Sequence, residues 1–218
     1  MVEILLDDPG LVENAADGTA CFHACIQMAM RLKKTADVPS FQDMDQMMRR
    51  APGKYAWEYA LLSELIRRNF AVKFIQNFDL QKFVEEPEGY LLEFYGQEAG
   101  KIQIEHSDLD TVVEDAKNFL ECASNHRCLE QRTPSLDDVK GLLRQGYLLI
   151  PLINQRILQA DPGYAAHYIV IFGFSDRGVR IHNPGPPATR ASEIDWTLFE
   201  RAWSSPQESA RNLIAIRP

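Results

Sequence analysis

The chain has 218 residues, 45% of them apolar, enough to bury one substantial core in a single domain spanning residues 1–218. A formal charge of −8 with no cluster of Lys and Arg argues against nucleic acid or an anionic membrane as the main partner, since both need concentrated positive charge. The opening MVEILLDDPG is acidic where a secretory signal is basic, and the longest apolar run, YLLIPLI, is too short to span a bilayer, so no membrane insertion and a cytoplasmic location are expected.

In chain order, the segment DGTACFHACIQMAMR predicts a helix with Asp17 or Thr19 as N-cap and with Cys25, Met28, Ala29 and Leu32 on one face. SFQDMDQMMRRA reads as a second helix. AWEYALLSELIRRN reads as a third, with Leu61, Leu62, Leu65 and Ile66 at helical spacing. AVKFI alternates as a strand does, DLQKFVEE makes a short helix, and GYLLEFYG is read as a possible strand. SDLDTVVEDAKNFLECA is an amphipathic helix capped by Ser107 or Asp108. TPSLDDVKGLLRQG is a helix with a Thr-Pro-Ser start and a Gly146 stop, leading into a buried strand at YLLIPLIN.

The remainder reads as β-structure. HYIVIFGF, the turn SDRG and VRIHNPG form a hairpin, and NLIAIRP adds an edge strand. Helices over about residues 1–145 and strands over about 146–218 predict an α+β domain, a helical half packed on an antiparallel sheet. There is no repeat, linker or phosphate-binding glycine loop.

The hairpin and the first helix carry the chemistry. His167 and Asn183 are sixteen residues apart, an even separation. Side chains alternate along a strand, so a loop centred on Ser175 would set the two directly opposite on one face, with His182 on the other. An imidazole held by an Asn oxygen, with a cysteine at a helix N-terminus, makes up a thiol-nucleophile site. The helix end and an imidazolium lower the thiol pKa, and the Asn orients the ring. A cysteine in the first turn of an apolar helix also serves as a small buried hydrophobe, and a histidine at a strand head as a hydrogen-bonded rim residue. Cys25, one turn further on, is read as core. Tyr55, Trp57 and Tyr59 are read as packing residues that could border a cleft. Cys21, His23 and Cys25, or Cys122, His126 and Cys128, lack paired zinc-ligand spacing, so neither a metal nor a cofactor is expected.

CFHAC followed by a Met-rich helix, and HYIVIFGFSDRGVRIHNPG near the end, resemble the papain-like cysteine peptidases that cleave double-glycine leader peptides of bacteriocins, and their stand-alone relatives. TPSLDDVKGLLRQGYLLIPLIN and WTLFERAW are similar to segments flanking that family's catalytic histidine. The resemblance implies a papain-like fold, with Cys21 as nucleophile, His167 as base and Asn183 in place of an orienting Asp. It implies a hydrolase acting on a peptide or protein substrate through a thioester acyl-enzyme. An acyl or peptidyl transferase, and a binding module that keeps the fold without catalysis, are the alternatives. The family's Gly-Pro after the nucleophile is Phe22-His23 here, which places both side chains at the cleft wall. Where the family has an oxyanion-binding Gln, this chain has Ala15, so the neighbouring Asn14 is expected to supply the amide. The oligomeric state is not set by the sequence.

Overall fold

The computed structural model describes residues 4–34 and 37–218. A short strand β1 (Ile4–Leu5) is followed by helices α1 (Cys21–Arg31), α2 (Phe41–Met47) and α3 (Tyr59–Arg67), and then by strand β2 (Ala71–Gln76). Four helices follow in succession: α4 (Leu80–Glu85), α5 (Pro87–Tyr95), α6 (Gln97–His106) and α7 (Leu109–His126). Next come β3 (Leu129–Gln131), α8 (Leu136–Arg144), β4 (Leu148–Ile150), β5 (Leu152–Asn154), α9 (Gln155–Leu158) and β6 (Ala166–Tyr168). The chain closes with β7 (Val170–Phe174), β8 (Gly178–Asn183), β9 (Thr189–Asp195), α10 (Trp196–Trp203), a 3-10 turn at Glu208–Ala210, and β10 (Asn212–Arg217).

Several helix starts follow from side-chain chemistry. Ser40 and Ser135 accept from the backbone of Asp43 and Asp138, whose carboxylates reach back to the cap N–H, so both helices open with a complete capping box. Asp79, Asp108 and Asp195 cap α4, α7 and α10 with one side-chain bond each. The first helix is different. Its N-cap is Ala20, and neither Asp17 nor Thr19 caps it; Asp17 instead accepts from Thr19.

The main sheet runs β3-β2-β10-β4-β7-β8-β9, with β1 on the end of β7; it is antiparallel except for the β2–β3 pair. A side chain at Gly173 would put its Cβ 2.7 Å from the Ile4 carbonyl oxygen, so only glycine lets β1 close on β7 there. Strand alternation divides the core in two. Val72, Phe74, Ile150, Val170, Phe172, Ile214 and Ile216 face helices α1, α3, α4 and α7. Ile75, Leu149, Ile171, Val179, Ile181, Leu213 and Ala215 face α8 and α10.

The α+β class holds, with three differences in detail. GYLLEFYG is helical, within α5: Pro87 opens the helix and Gly96 ends it, and Tyr90 and Leu91 are buried in the first core. NLIAIRP is no edge strand. β10 lies between β2 and β4 with residues 212–216 all buried, because both its faces are covered. Strands β2 and β3 come from the stretch of about residues 1–145 expected to be helical yet join the sheet, so the helical and β parts interleave. Among the described residues no helix is long and apolar enough to cross a membrane.

Candidate active site

Cys21 is the first residue of α1 and is partly exposed, whereas Cys25, one turn on, is fully buried in the first core. The helix start has no side-chain cap, which leaves the N–H groups of its first turn without intrahelical partners. The backbone N–H groups of Tyr168, Phe22 and Cys21 itself favour the thiolate, but burial outweighs them and pushes the thiol above its ordinary range.

His167 sits on β6, opposite Ile153 of β5, and is 3% exposed. Its Nε2 lies 2.8 Å from Asn183 Oδ1. The same oxygen accepts the Gly185 backbone N–H at 2.8 Å. An atom that accepts from a backbone N–H must be the amide oxygen, so the ring nitrogen facing it carries the proton. Neutral His167 is therefore the Nε2–H tautomer, and Nδ1, which makes no hydrogen bond among the described residues, is left as the basic lone pair. Burial pulls the imidazole below its ordinary value, and the Asn183 bond offsets this in part.

The contact does not arise by direct cross-strand opposition. The β7–β8 ladder sets Val170 opposite His182, with an irregularity between Ile171 and Gly173, so the register is two positions away from a turn centred on Ser175. His167 reaches Asn183 diagonally. His182 is buried on the other face: its Nδ1 accepts from Ala191 N–H, its Nε2 reaches Asp8 at 2.7 Å, and its ring stacks on Phe172.

Helix α1 packs against β6, so Cys21 and His167 stand on adjoining elements. Cys21 and Tyr168, the residue after His167, share the cavity wall described below, and no hydrogen bond connects sulfur to ring. Burial thus acts on both groups in the same sense, pushing the thiol up and the imidazole down, and so favours the neutral form of each.

Two sequence expectations are corrected. His23 is no cleft-wall residue. It is fully buried, its Nε2 is 2.9 Å from Asp45, and burial lowers its pKa despite that carboxylate. Asn14 is not free to hold an oxyanion, because its amide N–H groups bond to the carbonyls of Gly185 (2.7 Å) and Gly18 (3.1 Å) and its oxygen accepts from Ala20 N–H. It braces the loop before Cys21 to the loop after Asn183 instead.

Phe22 does border a cavity of about 1060 Å³ whose wall also includes Cys21, Thr19, Ala166 and Tyr168. Trp57, Tyr59, Phe78 and Tyr95 line it as well. Its polar groups went unnoticed in the sequence. Glu58, 8% exposed, accepts from the Tyr168 hydroxyl and lies 3.5 Å from Asn212 Nδ2. Gln76 sits directly opposite Asn212 across the β2–β10 ladder, and its Nε2 is buried without a partner. An acid between two aromatics, Trp57-Glu58-Tyr59, and a glutamine ending an apolar strand were the available signals. No three His, Cys, Asp or Glu side chains among the described residues are grouped to hold a metal ion.

Neither a protein-family model nor a curated protein sequence matches the chain.

Proposed function

We propose that this protein is a cysteine-dependent hydrolase of papain-like design that cleaves a peptide or amide bond of a peptide or protein substrate. The observation that carries the reading is the Gly185–Asn183–His167 chain of hydrogen bonds, which sets the ring tautomer and leaves Nδ1 free as a base on β6, the strand against which the Cys21 helix packs. Cys21 Sγ attacks the carbonyl carbon as its proton passes to His167 Nδ1. The oxyanion is met by the uncapped N–H of Cys21. His167 then gives the proton to the leaving amine and a thioester forms. Water attacks the thioester with His167 again as base, releasing the acid and restoring the thiol. An amine entering in place of water would make the same site a transferase. A bond from thiol to imidazole that is missing without substrate can close in the complex.

Two observations favour a different reading, a peptide-binding module without turnover: the thiol and imidazole are both shifted toward their neutral forms, and Asn14 has no spare donor. Incubation with p-nitrophenyl acetate separates the two. The hydrolase should acquire one acetyl group on Cys21, detectable by mass spectrometry, and lose that adduct in His167→Ala. Acetylation spread over other nucleophiles, or unaffected in His167→Ala, favours the binding module.

A further inference from the structure

Glu58 is a carboxylate in an unusual position. It opens onto the cavity while almost fully buried, and its hydrogen-bond partners, Tyr168 and Asn212, are neutral. No Lys, Arg or His forms an ion pair with it among the described residues. Arg211, which also lines the cavity, is held by Glu200 at 3.3 Å and Glu208 at 3.5 Å, so its charge is already answered. A buried carboxylate without a counter-charge is costly, and burial does push Glu58 above its ordinary range. A cation arriving from outside would relieve that cost.

The walls suit one. Trp57, Tyr59, Phe78 and Tyr95 surround the space that Glu58 faces, and aromatic rings around a desolvated cation add a favourable electrostatic contact. Gln76, opposite Asn212, lines the same cavity and keeps a buried Nε2 without a partner. Tyr168 connects this floor to the nucleophile: its hydroxyl bonds to Glu58, and it lines the cavity together with Cys21.

We propose that this cavity is a specificity pocket for a basic side chain of the peptide, with Glu58 as the counter-charge. The role in selection rests on the hydrolase reading above, but the binding does not require catalysis. The test is calorimetric titration of Cys21→Ala with benzylamine and with benzyl alcohol, its neutral counterpart, at neutral pH. Benzylamine should bind at least about tenfold more tightly, and adding Glu58→Gln should bring the two ligands to equal affinity. Equal affinity in the Cys21→Ala parent, no binding of either, or an amine advantage that survives Glu58→Gln would overturn the proposal. Should Glu58→Gln fail to fold, the parent decides by pH: the amine advantage must shrink as acid protonates Glu58, and a pH-independent advantage refutes it. Amine binding without any Cys21 chemistry would sink the hydrolase reading alone, whereas Cys21 chemistry without amine binding would sink the pocket alone.

Discussion

Replacing Asn14 by Ala removes three hydrogen bonds at once: the donors to Gly185 O at 2.7 Å and Gly18 O at 3.1 Å, and the acceptor for Ala20 N–H at 2.8 Å. A net 1 kcal/mol or so for each suggests about 3 kcal/mol, reduced to about 2 because the partly exposed site lets water replace some of them. The consequence reaches the site as well. Gly185 supplies the N–H that orients Asn183, and Ala20 immediately precedes Cys21, so slack in either loop moves base and nucleophile apart. Asn14→Asp sharpens the test, because it keeps the acceptor for Ala20 but turns a carboxylate toward two carbonyl oxygens. Its folded pKa would be raised above the unfolded value. Relative to wild type, its stability should therefore be greatest below about pH 4 and fall as pH rises through the folded value. Urea unfolding of the two variants at acidic and neutral pH is the assay. An Asn14→Ala midpoint matching wild type, or an Asn14→Asp protein that gains stability as pH rises relative to wild type, would refute the bracing role.

His182→Ala should lower stability by about 2–3 kcal/mol in urea unfolding, since it removes a buried ring, its bond to Asp8 and the acceptor of Ala191 N–H. It should leave Cys21 alkylation unchanged, and a loss there would place His182 in the site after all. Asp138 is held at about 2 by the Arg132 guanidinium and by the Ser135 N–H and hydroxyl. A depressed carboxylate stabilises the fold above its unfolded value of 3.8 and loses that contribution as pH falls through about 2. Asp138→Asn should therefore cost about 1 kcal/mol at neutral pH after allowance for solvent screening, a deficit that thermal melts should find vanishing toward pH 2.

The helix boundaries set by local chemistry could be read from residues alone: the serine caps of α2 and α8 and the aspartate cap of α7 are short-range devices that tertiary packing does not alter. The apolar run in α5 was ambiguous because a short run fits a strand as well as a helix, and only its packing on Phe78 decides. The central place of β10 depends on what covers each face, although five successive buried residues are the pattern of a strand enclosed on both sides. At the site, strand parity correctly put His167 and Asn183 within reach of each other and His182 elsewhere. Parity is blind to register, so the diagonal geometry was out of reach. Asn14, His23, Glu58 and Gln76 were misjudged or missed for one reason: a polar residue's role depends on the partners that the fold supplies.

The central claim, that Cys21 is a nucleophile served by His167, is tested most directly by the rate of iodoacetamide labelling at each cysteine across pH, in wild type and His167→Ala. Cys122 is the internal standard, being partly exposed and, like Cys21, pushed above its ordinary range by burial. If His167 Nδ1 takes the proton, Cys21 should label at neutral pH at least about tenfold faster than Cys122, and the advantage should disappear in His167→Ala. Labelling of Cys21 no faster than Cys122, or unchanged in His167→Ala, would contradict the account.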